Sequence, residues 1–473
     1  MPPALSSALF AAVGELLAAR LGLNFPAERR GDLERGLAAA AAALGLPDAK
    51  ACAHRLLSAP LSVHEIEILA GCLTVGETYF FREQHAFEAL EQHVLPALLR
   101  ERDGSDKRLR IWSAGCCTGE EPYSVAMLLD RLLPDADAWN STLLATDINP
   151  AFLRKAAEGV YGAWSFRATP DWIRDRHFKP AGRGRYRLDE RIRRRVMFSC
   201  LNLADDVYPS LTGNTNAMDI IFCRNVLMYF TPAQAARVVG KLQRSLVEGG
   251  WLIVSPAETS SVLFAGFTTV EFPGAILYRR PPGSETPRRE SHVVQRPEED
   301  FVPPWLAPAE SAPAAPPIPL PAAGESTAVP DPLSPRRERL IRAARDCAND
   351  GRLDEAGEWC RQAIAFDKLD PVLHYLLSVI EQERGRGDDA VRSLTRALYL
   401  APDFVLAHYA LGNLRQSQGR RREAQRHFDN ALQLLQNHPT DEILPESDGL
   451  SAGRLAQIIV SMQAGMPRIA DSA

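Results

Sequence analysis

The sequence predicts an α/β domain built on a mostly parallel sheet, joined to an all-α solenoid of helical repeats. Three observations predict it. Strands alternate with helices from Leu109 to Arg280, an internal period of 34 residues runs from Gly351 to Ala431, and a proline-rich stretch separates the two. The 473 residues, 46% apolar and 24% charged, are ordinary for a soluble chain of roughly two to four domains. The formal charge of −5 argues against a general nucleic-acid binder. No run of about 18 uncharged apolar residues is present to span a bilayer, so direct membrane insertion is not expected. The opening segment lacks a basic lead-in and carries Glu15 inside its helical period, so it reads as a first helix and a cytoplasmic location is expected. The eight cysteines show no C-x-x-C spacing, and neither a disulfide scaffold nor a metal site is expected.

Residues 1–75 read as helical and residues 76–280 as the sheet domain. A strand at LRIWSAG leads through a glycine turn into a helix over CCTGEEPYSVAMLLDRLL, then a strand at STLLATDI and a helix through NPAFLRKAAEGVY. That order is a right-handed βαβ unit. Strands follow at RVMFSCLNL, MDIIFCRNV and GWLIVSP, the last two separated by the amphipathic helix TPAQAARVVGKLQRSLV. FTTVEFPGAILYRR alternates around Pro273-Gly274 like an antiparallel hairpin. Between Pro281 and Pro335, 15 of 55 residues are proline, which cannot build a packed core, so residues 281–335 read as an extended linker. Beyond it, Gly351, Gly385 and Gly419 recur at the 34-residue shift, as do Ala356, Ala390 and Ala424, then Ala363, Ala397 and Ala431. Small residues at that spacing let paired helices approach closely and turn sharply, giving three helix-turn-helix repeats over residues 336–437. His374 and His408 share the period and read as packing residues. In the tail, residues 438–473, Leu455, Ile458, Ile459 and Met462 share one helical face, that of a capping helix or a short partner-binding helix.

The candidate site begins at the glycine turn. Ala114-Gly115-Cys116-Cys117-Thr118-Gly119-Glu120-Glu121-Pro122 places glycines where a backbone must pass close to a ligand and a helix N-terminus must point at it. Asp147 ends the second strand, where a carboxylate can accept hydrogen bonds from both hydroxyls of an adenosine ribose. The Gly-x-x-x-Gly spacing favours a ligand with one ribose and no pyrophosphate. The competing reading of Asp147 is a cap for the next helix, for which Asn149 is equally placed.

Five motifs in order resemble the chemotaxis receptor methyltransferase family over roughly residues 5–280. They are Thr78-Tyr79-Phe80-Phe81-Arg82-Glu83, IWSAGCCTGEEPYS, ATDINP, Leu201-Asn202-Leu203 and Phe222-Cys223-Arg224-Asn225-Val226-Leu227-Met228-Tyr229-Phe230. The resemblance implies an S-adenosylmethionine-dependent protein-glutamate O-methyltransferase with a Rossmann-like, seven-stranded sheet and a small β-subdomain inserted near residues 165–195. By position it implies cofactor contacts from Thr78, Arg82, Glu121, Asp147, Asn202, Leu203, Asn225 and Val226, with Arg82 and Tyr229 at the point of methyl transfer. Gly76 stands where the family commonly has an Asn, so only its backbone could contribute. The repeats resemble tetratricopeptide repeats, best in the third, where Leu411, Gly412, Ala424, Phe428 and Ala431 fit the pattern. The combination resembles the enzymes of chemosensory systems that control surface growth or gliding. Its implied partners are the cytoplasmic helices of a methyl-accepting chemoreceptor and a signalling protein held by the repeats. The alternative is a catalytically silent scaffold that binds cofactor and acts through its repeats.

A glutamate carboxyl with a pKa of about 4.3 is already ionised at neutral pH, so its methylation requires no general base. Tyr79, Phe80, Phe81, Tyr229 and Phe230 are candidates to exclude water, with at least two of the five expected in the core. Residues 167–195 hold eleven Arg or Lys against four acids, a local net charge of +7 that could steer a glutamate-rich helix. The stretch Phe178–Leu188 looks about three residues shorter than in family members that dock a receptor's C-terminal pentapeptide by strand addition. Recognition without the pentapeptide is therefore expected, with the linker giving the repeats a long reach.

Overall fold

A computed structural model describes residues 5–102, 107–133, 139–167, 169, 171–282, 334–440, 442–447 and 450–464. Most of the proline-rich segment, and the side chain of Met462, lie outside the described residues.

Four helices come first: α1 (Ser7–Leu21), α2 (Arg30–Ala43), α3 (Ala49–Ser58) and α4 (Val63–Leu73). Ser6, Asp48 and Ser62 start α1, α3 and α4 by accepting a backbone amide that the first helical turn leaves without a partner. Leu9, Val13 and Leu17 of α1 close a small core with Leu33 and Leu37 of α2. Tyr229 of the sheet domain packs against this core, and its carbonyl accepts the Asn24 amide at 2.7 Å. The helical bundle is thus built into the wall of the site.

Helices α5 (Gln84–Ala89) and α6 (Leu95–Arg102) lead to β1 (Arg108–Ala114), α7 (Glu120–Leu132), β2 (Asn140–Asp147) and α8 (Pro150–Glu158). An insertion follows, with β3 (Val160–Gly162), α9 (Asp171–His177), β4 (Phe178–Pro180), β5 (Arg185–Leu188) and α10 (Glu190–Arg193). The chain then returns through β6 (Val196–Cys200), β7 (Met218–Phe222), α11 (Pro232–Ser245), β8 (Leu246–Ile253), β9 (Thr268–Phe272) and β10 (Ala275–Arg279). Seven strands form one sheet in the order β6-β2-β1-β7-β8-β10-β9. All neighbours are parallel except around β10, which runs antiparallel to both β8 and β9. Every residue of β1 and β7 is buried, which is why these strands read as continuous runs instead of alternating patterns. Strands β3, β5 and β4 make a separate antiparallel sheet, the small insertion. The turn between β4 and β5 is tight, closed by the Ala181 amide on the Arg185 carbonyl at 2.8 Å.

The repeats are three helical hairpins: α12 (Ser334–Asn349) with α13 (Leu353–Phe366), α14 (Pro371–Glu383) with α15 (Gly387–Leu400), and α16 (Val405–Ser417) with α17 (Arg421–Leu435). Gly351, Gly385 and Gly419 turn the three hairpins at φ of +80°, +72° and +74°, a conformation that costs other residues. The six periodic alanines are fully buried between the paired helices. His374 and His408 each place Nε2 3.1 Å from the carbonyl six residues earlier, one local packing device used twice. Leu455 and Ile459 of α18 (Ala452–Ala464) are buried in the same cluster as Phe428, Ala431 and Leu435 of the third hairpin.

The expectation of repeats on a long, free tether meets a different arrangement. Glu383, at the end of α14, is buried 3.9 Å from Arg108 and 3.8 Å from Arg110, both at the start of β1. Its carbonyl accepts Asn140 Nδ2 at 2.9 Å. Asn216 Nδ2 donates to the Ser210 carbonyl and to Glu383 Oε1, each at 3.2 Å, and Leu211 enters the core of the first hairpin beside Ala344, Cys347 and Leu353. The solenoid is seated on the amino-terminal edge of the sheet by buried charge and apolar contact, so docking and not linker reach sets its position.

Candidate functional site

Strand β1 lies between β2 and β7, so the chain leaving β1 and the chain leaving β7 open a crevice at the carboxyl edge of the sheet, the usual place for a ligand in an open α/β sheet. Gly115 (φ +86°) carries the backbone past this crevice, and a Cβ built there would meet Val226 Cγ2 at 2.4 Å. Gly119 (φ +92°) opens α7, and its added Cβ would sit 2.8 Å from Ala156 Cβ. Both glycines are therefore required by conformation and by space.

Thr78, Arg82, Glu121, Asp147, Asn202, Leu203, Asn225, Val226 and Tyr229 all line this one cleft. Asp147 Oδ2 accepts the Cys117 amide at 2.8 Å and Oδ1 accepts the Asn149 amide at 2.9 Å. Asn149, not Asp147, caps α8, with Oδ1 accepting the Ala151 amide at 2.9 Å. Asp147 is thus held by two amides while keeping further acceptor capacity toward the cleft. Burial pushes its carboxyl up to about 6, against the pull of the amides. If ribose hydroxyls donate to it they favour the ionised form, and cofactor affinity is then expected to be full above pH 6. Below pH 6 it should fall, with a limiting slope of about tenfold per pH unit for one linked proton. Calorimetry across pH checks this. Asp147→Asn should flatten the profile, and Asp147→Ala should cost more than about tenfold at neutral pH through lost charge-assisted bonds.

Asn202 lines the cleft and also ties it to the helical bundle. Its Nδ2 donates to the Arg20 carbonyl at 3.0 Å and to Asp205 Oδ1 at 2.9 Å, and its Oδ1 accepts the Ala204 amide at 3.0 Å. The side chain latches α1 to the loop after β6, and Asn202 and Leu203 both line the cleft. Lys241, buried in α11, holds the same loop through the Leu203 carbonyl at 3.0 Å. Asn225 sits at φ +57° with its amide on Glu258 Oε2 at 2.7 Å. Glu258 also takes the Met228 amide at 3.2 Å, so one buried carboxylate shapes the turn that presents Asn225, Val226 and Tyr229.

Glu121 accepts Ser113 Oγ at 2.7 Å and pairs with Arg224 at 3.2 Å. Burial raises its pKa even so, because Arg224 and Ser113 offset the desolvation only in part. Arg224 also pairs with Glu83 at 2.8 Å and donates to the Arg82 carbonyl. Phe81 and Glu83 both take left-handed φ, 55° and 57°, and so strain the backbone on each side of Arg82. Arg82 donates Nη1 to the Glu77 carbonyl at 2.5 Å and lies over the Tyr79 ring. Tyr229 is half-buried, with its pKa raised by burial against the opposing charges of Arg29 and Arg82. Its hydroxyl makes no hydrogen bond to another described residue and is available in the cleft. Tyr79, Tyr229 and Phe230 line the cleft, whereas Phe80 and Phe81 belong to the hydrophobic core around Phe87.

Motif matching left out Arg224 as a residue that ties the site together, Glu258, and the apolar wall of Leu21, Leu23 and Val75 supplied by the helical bundle. The available signal was a charged residue inside an otherwise apolar strand end, Cys223-Arg224-Asn225. The cleft joins a buried carboxylate, Asp147, to an apolar and aromatic wall, a lining that suits a nucleoside ligand. The class it defines is the S-adenosylmethionine-dependent methyltransferases.

Residues 76–272 match the family model described as CheR methyltransferase, SAM binding domain, and residues 407–442 match a tetratricopeptide repeat model. The probable biofilm formation methyltransferase WspC of Pseudomonas aeruginosa is 32% identical over 396 residues, 82% of this chain and 90% of that protein. Its namesake in Pseudomonas putida is 30% identical over 81% of this chain and 88% of that one. Chemotaxis protein methyltransferase 2 of Vibrio cholerae is 34% identical over 220 residues, 46% of this chain and 75% of its own length. The chain belongs to the CheR methyltransferase family, with S-adenosylmethionine as its cofactor and tetratricopeptide repeats in its C-terminal half.

Proposed function

We propose that this enzyme methylates glutamate side chains on the cytoplasmic helices of a methyl-accepting chemoreceptor and thereby tunes a chemosensory pathway from the cytoplasm. The observation that supports the reading is the convergence of Arg82, Asp147, Asn225 and Tyr229 on one cleft. Bound S-adenosylmethionine supplies an electrophilic methyl on a sulfonium. Asp147 would hold the ribose, the Gly115 turn and Val226 would fix the nucleoside, and Thr78, Arg82, Glu121, Asn225, Asn202 and Leu203 would complete the binding set. An ionised glutamate needs no base, so the protein's task is alignment and exclusion of water. Tyr79, Tyr229 and Phe230 exclude it. Arg82 is a positioning cation, because the entering carboxylate loses charge as it takes the methyl. A guanidinium on the attacking oxygen would oppose the reaction, so Arg82 grips the other oxygen or the cofactor's own carboxylate.

The proline-rich segment divides a catalytic half, residues 76–280 with its helical cover, from a docking half, residues 336–437, that takes a signalling partner. The short β4–β5 turn favours recognition without a receptor pentapeptide. A relative named for biofilm formation supports an output in surface growth. The test is transfer of tritiated methyl from S-adenosylmethionine to membranes of the native host. Label on a membrane protein, released by mild base as an ester is, supports the reading. Cofactor binding with no transfer would make the chain a scaffold.

A further inference from the structure

Beside the cleft, four side chains stack in one row. Trp164 sits in the turn Ala163–Phe166 of the insertion and is 70% exposed, the most exposed tryptophan among the described residues. The Arg167 guanidinium lies 4.6 Å from the Trp164 ring centre and 3.9 Å from that of Tyr79, whose ring Arg82 also faces, at 5.8 Å. The row therefore runs Trp164, Arg167, Tyr79, Arg82, from solvent to the point of methyl transfer. It is held rigidly. The Phe80 amide donates to the Ser165 carbonyl at 2.9 Å, Thr169 Oγ1 donates to the Phe80 carbonyl at 3.0 Å, and Ser165 Oγ reaches Glu120 at 3.0 Å. Phe166 stacks on Phe80 beneath. Arg167 also pairs with Glu77, an exposed carboxylate on the rim of the same cleft.

Trp164 and Arg167 of this row lie outside the lining of the cofactor cleft. A large aromatic face is left in water although the fold beneath it is ordered, and aromatic and arginine side chains of that kind dominate binding energies at protein interfaces. An acid at the mouth of a site that must admit another acid is neutralised by a guanidinium stacked between two rings. We propose that Trp164 and Arg167 form the docking ledge for the substrate segment. Trp164 takes an apolar side chain of the glutamate-bearing helix, and Arg167 cancels Glu77 so that an acidic helix can approach Arg82. Charge complementarity commits the ledge to an acidic partner. Arg176, Lys179, Arg183, Arg185 and Arg187, on the same insertion, make no ion pair with another described residue and extend the positive field. This inference rests on the proposed glutamate methylation and names the residues that select its substrate.

The test is steady-state methylation of a purified cytoplasmic fragment of a chemoreceptor from the host, with cofactor affinity measured separately. Trp164→Ala should raise KM for the fragment about tenfold or more while kcat at saturating fragment and cofactor Kd stay unchanged. Arg167→Ala should also raise KM, most at low ionic strength, and the double variant Arg167→Ala with Glu77→Gln should recover much of the loss, because the repelling charge is gone. Wild-type KM in both single variants overturns the ledge. So does a joint loss of kcat, cofactor affinity and thermal stability in Arg167→Ala that Glu77→Gln leaves unrepaired, since that is the signature of a structural arginine. If wild-type enzyme transfers nothing to the fragment, the glutamate methylation reading falls first and the ledge with it.

Discussion

Replacing Arg82 by alanine is expected to lower kcat by about 10²-fold, the size of effect that follows when a reacting group is misplaced by around 1 Å. The backbone on either side of Arg82 is strained at Phe81 and Glu83 and pinned by Arg224, which donates to the Arg82 carbonyl and pairs with Glu83 and Glu121. That investment positions one guanidinium at the open side of the cleft. Removing the guanidinium leaves the pins in place, so Arg82→Ala should fold with an unchanged melting temperature. Tyr229→Phe should give a smaller loss of the same kind, through its unshared hydroxyl. Single-turnover rates at saturating cofactor separate this from weakened binding. Wild-type rates in both variants would remove Arg82 and Tyr229 from the transfer step.

The second large effect concerns stability. Glu383→Ala should cost about 3 kcal/mol, because it removes one of the two buried acids, Glu383 and Asp219, whose charges balance Arg108 and Arg110. Arg110 keeps the Asn216 carbonyl at 3.2 Å and Asn214 Oδ1 at 2.6 Å, and Asp219 alone is left to balance Arg102, Arg108 and Arg110. Glu383→Gln retains the shape and the hydrogen-bonding carbonyl and should lose less. Denaturant titration of the full chain measures both. Deleting residues 336–473 should likewise lower the stability of the catalytic half, since it exposes Leu211 and the two arginines. Equal midpoints for wild type, Glu383→Gln and Glu383→Ala would mean that the repeats sit on the sheet without holding it.

Much of the cleft was legible in the sequence because its determinants are local. The Gly115 turn, Asp147 at a strand end and the Asn225-Val226 step after an apolar strand each declare themselves within a few residues. So do the repeat glycines, which turn hairpins only at positive φ. What escaped depends on contacts across the chain. Asn202 fits the family position, but no motif encodes the bonds its Nδ2 makes to Arg20 and Asp205. Glu258 reaches back 33 residues to the Asn225 amide. The seat of the repeats joins residues more than two hundred apart, and its one trace in the sequence was Arg108 and Arg110 at the head of a strand that is otherwise apolar and buried. Two arginines in such a strand imply a buried acid, but nothing local says which.

The central claim is that the cleft around Asp147 delivers methyl groups to glutamate. Peptide mass spectrometry of a chemoreceptor fragment after incubation with enzyme and isotopically labelled S-adenosylmethionine tests it most directly. Labelled methyl esters are expected on glutamate side chains, absent with Asp147→Ala at limiting cofactor and much reduced with Arg82→Ala. Labelled methyl on another side-chain type, or an unmodified fragment after reaction with wild-type enzyme, would contradict it.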